Sequence, residues 1–105
     1  MLAFGFELMV YLVQGICRWD PIKAEYNLRK HGGSFQEAAT VFNDDLSATN
    51  YDPGHSTDED RFMIVGWSHR QNLLMVSYTE RENRIRIISS RKLTKNERKS
   101  YERRN

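Results

Sequence analysis

The sequence predicts an α+β fold: an antiparallel sheet with a three-strand meander, two N-terminal helices and a C-terminal helix. Three observations predict it. Two helix-start signatures stand close together, at Trp19-Asp20-Pro21 and at Ser34-Phe35-Gln36-Glu37. Three β-rich runs then follow one another, joined by linkers too short for anything but hairpins. A third helix-start signature, Thr94-Lys95-Asn96-Glu97, opens a basic terminal segment. Strands that come in succession, rather than alternating with helices, argue against parallel βαβ winding.

Taken in order, residues 1–17 are apolar apart from Glu7 and Gln14. With no Lys or Arg before Arg18 the stretch lacks the positive start of a secretory leader, and with two glycines and a carboxylate it makes a poor membrane span. The expectation is a first strand or an atypical apolar extension, with Met9 as an alternative start to Met1. Asp20 then caps a helix and Pro21 occupies its first position, where a missing N–H is harmless. This helix should reach Lys30 or His31 and stop at Gly32-Gly33, with Ala24, Leu28 and His31 sharing one face. Ser34 and Glu37 form a capping box for a second short helix that carries Phe35, Ala38, Ala39 and Phe42 inward and ends near Asn43. A weak strand over 46–51 and an acidic loop over 52–60 lead to the three β-rich runs 61–67, 73–79 and 84–90. In the last, simple alternation puts Arg84, Arg86 and Ile88 on one side and Ile85, Ile87, Ser89 and Arg91 on the other. The terminal helix runs to about Arg103, with Tyr101 as its one large aromatic.

The chain is one domain spanning 1–105, since 105 residues with 39% apolar side chains supply a single core. Its lone cysteine, Cys17, excludes an internal disulfide, and the cytoplasm is the expected compartment. The formal charge of +2 conceals an asymmetry. Residues 36–60 hold seven acidic groups and no Lys or Arg, whereas residues 81–105 hold ten basic groups and three acidic ones. A basic block of that density needs a polyanion or an acidic partner.

Candidate chemistry gathers where guanidinium groups could converge on phosphate, which they grip as rigid forks. Arg61, Arg81 and Arg91 are the candidates for the phosphate, and Arg84, Arg86 and Lys92 for further RNA binding. Cleaving RNA without a metal asks little more, because the substrate's 2′-hydroxyl is the nucleophile. A base and an acid suffice, with His31 or Glu80 for the first and Lys30 or Tyr101 near the leaving group. No cofactor is expected. The acidic loop lacks calcium-loop spacing and no His or Cys pairs stand at zinc spacing, so no metal site is expected either. His55 and His69 lie in loops and receive no role.

Ordered motifs add a family. Trp19-Asp20-Pro21-x-Lys23-Ala24-x-x-Asn27-Leu28-Arg29-Lys30-His31-Gly32, Ser34-Phe35-x-Glu37-Ala38, Glu59-x-Arg61, Tyr78-Thr79-x-Arg81, Ile85-Arg86-Ile87-Ile88-Ser89-x-Arg91-Lys92 and Glu97-Arg98-x-x-Tyr101 together resemble the BrnT-type toxins. The resemblance implies a RelE-like ribonuclease toxin of a bacterial type II toxin–antitoxin pair that inhibits translation by cutting RNA. It further implies a cognate BrnA-like ribbon-helix-helix antitoxin, operator DNA contacted only through the complex, and no membrane role. The competing reading is a non-catalytic module that binds nucleic acid or antitoxin. The sequence departs from the family pattern at Gly33, Ser90 and Leu93.

Overall fold

The computed structural model describes residues 17–55 and 59–104. Strand β1 (Cys17–Arg18) is followed by helices α1 (Pro21–His31) and α2 (Phe35–Thr40), a 3-10 turn (Val41–Asn43), strands β2 (Ala48–Tyr51), β3 (Phe62–Trp67), β4 (Leu73–Arg81) and β5 (Arg84–Lys92), and helix α3 (Lys95–Arg104). One five-stranded sheet results, in the order β1-β5-β4-β3-β2. The class is α+β, but the sheet is mixed rather than antiparallel. β1 lies parallel to β5, with Cys17 opposite Ile85 and Arg18 opposite Arg86. Residues 1–16, where the apolar first strand or extension was expected, lie outside the described residues. Among the described residues, no helix is long and apolar enough to cross a membrane.

Local chemistry explains the helix boundaries. Asp20 accepts a hydrogen bond from the Ile22 N–H at 2.8 Å, and Gly32 closes α1 at φ 75°, a conformation that costs a residue without Cβ little. Ser34 Oγ caps Glu37 N–H at 3.0 Å, but the reciprocal half of that box is missing because the Glu37 carboxylate turns into the interior. α2 ends at Thr40 and continues as a 3-10 turn over Val41–Asn43 instead of running as one helix to Asn43. At Thr94 and Glu97 both halves form, at 2.8 and 3.2 Å. The β4–β5 hairpin turns on Glu82 and Asn83, both at positive φ (51° and 64°), whose twist matches the flanking strands.

Cross-strand register sorts the side chains onto two faces. Ile64, Leu74, Val76, Tyr78 and Ile87 point toward α2, where Phe35, Ala38, Ala39 and Val41 are fully buried. Val65 and Leu73 point the other way, toward Tyr101 of α3. Gly66 sits where the 41–47 segment crosses β3, so that a Cβ would lie 2.9 Å from Asp44 Oδ2. That oxygen accepts the Trp67 N–H at 2.8 Å.

The buried residue of α1 lies off the face shared by Ala24, Leu28 and His31. Leu28 is half-exposed, and the buried residue is Asn27, whose amide is satisfied by β5. Asn27 Nδ2 donates to Ser90 O at 2.8 Å and Ser90 N–H donates to Asn27 Oδ1 at 3.0 Å. Among the described residues, β1 pairs with β5 at Ile85 and Arg86, and further along the edge of β5 Asn27 supplies partners to Ser90.

Candidate functional site

A break in the register of β5 controls where its cations go. Ser77 pairs with Ser89 and Tyr78 with Ile87, so Ile88 is an extra residue and the strand bulges there. After the bulge the alternation inverts. Arg91 pairs with Met75 and so joins Arg84 and Arg86 on the α3 face, while Lys92 pairs with Leu74 and joins the α2 face. This reverses the sides expected for Ser89 and Arg91 from simple alternation.

One cluster forms at the end of β5 nearest α1. His31, on the last turn of α1, borders a cleft of about 160 Å³ with Gly32, Gly33, Arg70, Arg91 and Lys92. Glu37 and Asn72 line the same cleft. The Glu37 carboxylate, only 7% exposed, accepts from Ser68 Oγ at 2.6 Å and Asn72 Nδ2 at 2.7 Å, tying the β3–β4 turn to α2. The adjoining groove along β5 contains Lys23, Lys30, His31 and Arg91. Lys30 Nζ stands 5.7 Å from the Tyr26 ring centroid. Arg91 is oriented by a two-pronged pair with Glu97, at 2.8 and 2.9 Å, and by Met75 Sδ at 3.3 Å. That guanidinium, aided by the Thr94 backbone N–H, holds the Glu97 carboxyl down to about 2.

A second cluster occupies the opposite end of the sheet. Arg81 and Arg84 face each other across the β4–β5 hairpin, and Arg86 lies on the same side. Arg61 continues β3 backwards, its carbonyl accepting the Asp52 N–H at 2.8 Å, and alternation puts its side chain on that face too. Arg81 Nε donates to Glu59 Oε2 at 2.7 Å. About 20 Å of strand separates Arg81 from the Met75–Arg91 pair, so one phosphate cannot meet both ends.

The remaining candidates sit apart from both. Glu80 pairs with Ile85 and faces away from Arg81. Tyr101 is buried under the sheet, and its hydroxyl donates to Leu46 O at 3.0 Å. His69 packs against Thr40, with its N–H 3.0 Å from Thr40 Oγ1, and burial lowers its pKa. No group of three metal-ligating side chains occurs among the described residues.

Residues 19–97 match the family described as the ribonuclease toxin, BrnT, of type II toxin–antitoxin systems. The chain belongs to the BrnT toxin family. Its fold is similar to the crystal structure of the Brucella abortus ribonuclease toxin BrnT, determined at 1.1 Å, with a TM-score of 0.54 and 22% identity over 73% of this chain and 94% of that one. No curated protein matches the sequence. BrnT membership makes the chain a ribonuclease toxin, with RNA as its target and a protein antitoxin as its partner. Sequence reasoning overlooked Asn27, Glu37, Glu59, Arg70 and Asn72. The first three stand inside the motifs quoted above, whereas nothing in the sequence marks Arg70 or Asn72 as neighbours of His31.

Proposed function

We propose that this BrnT toxin cleaves RNA without a metal, in the cleft bordered by His31. His31 takes the proton of the substrate's 2′-hydroxyl, the 2′-oxygen attacks the adjacent phosphorus, and a 2′,3′-cyclic phosphate forms as the P–O5′ bond breaks. Arg91, oriented by Glu97, and Lys92 stabilise the charge that develops on the phosphoryl oxygens. Lys30, on the same turn as His31, serves the leaving 5′-oxygen. Arg61, Arg81, Arg84 and Arg86 hold flanking backbone. The observation that carries this reading is that His31 borders the same cleft as Arg91 and Lys92. Glu80, facing away from the arginines, is the weaker base, and the buried Tyr101 serves packing. Cutting messenger RNA in this RelE-like manner inhibits translation, and a BrnA-like ribbon-helix-helix antitoxin neutralises the toxin and carries the complex to operator DNA.

The test is RNA cleavage by purified protein in EDTA, with the product ends determined. Wild type should leave 2′,3′-cyclic phosphate, and H31A should lose about 10²–10⁴-fold in rate while RNA affinity is kept. Strict dependence on added Mg²⁺ would reject the mechanism, as would a fully active H31A. Binding without any cleavage would favour the non-catalytic module.

A further inference from the structure

The arginine cluster at the hairpin end of the sheet is occupied. Glu59, two residues before Arg61, turns its carboxylate into it and accepts from Arg81 at 2.7 Å. Arg86 and Arg61 act on the same carboxylate through space, and the three guanidiniums together hold it below the usual carboxylate range. Directly across from Arg86 on this face stands Thr79, 1% exposed, whose hydroxyl has no hydrogen-bond partner. The Glu59 carboxylate engages Arg81 through Nε alone, so that guanidinium keeps donors for a further anionic oxygen.

The geometry points to a phosphodiester subsite at Arg61, Arg81 and Arg86, occupied in the free protein by the carboxylate of Glu59, which an RNA backbone phosphate displaces on binding. A phosphodiester presents two non-bridging oxygens and one negative charge, as the carboxylate does, and suits the same guanidinium fork. The subsite lies roughly 15 Å along β5 from Arg91, so it takes a flanking phosphate and not the scissile one. The inference rests on the RNA reading above but not on the assignment of His31.

Binding of a 2′-O-methyl RNA oligonucleotide, which cannot be cleaved by 2′-hydroxyl attack, tests it by fluorescence anisotropy with the full chain at fixed salt. E59Q should bind about two- to fivefold tighter than wild type, the range set by rupture of an exposed ion pair. E102Q removes the same charge from the Glu102–Arg98 pair on α3, at 3.1 Å, and should gain less. The gain of E59Q should disappear when Arg81 is also replaced, in E59Q/R81A. An E59Q affinity equal to that of E102Q, or weaker than wild type, would show that Glu59 merely orders Arg81 and would overturn the proposal. A gain that survives without Arg81 would do the same. If E59Q alters only antitoxin affinity, the occupant is a protein carboxylate and the RNA subsite is wrong. Failure of the wild type to bind the oligonucleotide would instead sink the RNA reading itself, and this subsite with it.

Discussion

Replacing Asn27 by alanine should remove the joint that fixes α1, and His31 with it, to the sheet. Asn27 is 3% exposed and Ser90 is 2% exposed, so neither can exchange its lost partner for water without the interface opening. Truncation orphans both the Ser90 N–H, 3.0 Å from Asn27 Oδ1, and the Ser90 carbonyl, 2.8 Å from Nδ2. A buried polar group left unpaired costs about 1–3 kcal/mol. Two such groups cost about 2–6 kcal/mol and alanine's better helix propensity returns about half a kcal/mol, leaving a net loss of about 1.5 kcal/mol or more. For a domain of this size that lowers Tm by roughly 6 °C or more. Urea unfolding followed by far-UV circular dichroism should show a lower midpoint at unchanged slope. N27D, of the same shape, keeps an acceptor for the Ser90 N–H but sets an oxygen against the Ser90 carbonyl, so it too should destabilise although no cavity forms. A loss below about 0.5 kcal/mol in N27A would refute the reasoning, because it would mean the β5 edge finds other partners.

Two more outcomes follow from titrating groups. Glu97, with its carboxyl held down to about 2 by Arg91 and the Thr94 N–H, has a folded-state pKa below its ordinary 4.5. Its stabilisation is therefore complete above about pH 4.5 and fades as pH falls toward 2. E97Q should be less stable than wild type by about 1 kcal/mol at pH 7, discounted for partial exposure, and urea midpoints at pH 7, 4 and 2.5 should converge at the acid end. A gap independent of pH would contradict the ion pair. Burial pushes the Cys17 thiol up to about 11 despite the neighbouring Arg18. Native protein at pH 8 should react with a disulfide reagent about a hundredfold more slowly than in urea, and equal rates would show that β1 leaves the thiol open.

What the sequence made legible was whatever is settled within one turn of chain. Asp20 with Pro21, Gly32, and the Thr94–Glu97 box each act over three or four residues, and each marks a real boundary. The partners of Asn27 and Arg81 lie 63 and 22 residues away, so no local pattern could reveal them. Asn27 rather than Leu28 is the buried residue of α1, because the backbone of β5 at Ser90 takes both hydrogen bonds of its amide. The single extra residue at Ile88 explains why strand alternation failed for Arg91, since a bulge reverses every face after it. The arginines that looked convergent in sequence divide between two ends of one sheet because six residues of β4 separate Arg81 from Met75, the partner of Arg91.

The charge asymmetry gains its meaning from that division. The acidic block over 36–60 does not simply neutralise the basic block over 81–105. Glu37 is spent inside on Ser68 and Asn72, Asp44 on the Trp67 and Leu46 N–H groups, and Asp60 accepts from Tyr51 at 3.1 Å. Among the described residues, the one ion pair that joins the two blocks is Glu59–Arg81, while Arg91–Glu97 and Arg98–Glu102 lie within the basic block. Among the described residues, folding thus commits Glu37, Asp44 and Asp60 to backbone and side-chain hydrogen bonds, and most basic groups of 81–105 stand outside these ion pairs. Self-repulsion of that charge is tolerable because the strands holding it are tied to a core on both faces. A polyanion that neutralises it releases counterions as it binds, so affinity for RNA must fall steeply with salt. An antitoxin that competes for the same surface must present acidic groups of its own, and its hold on the toxin would weaken with salt in parallel.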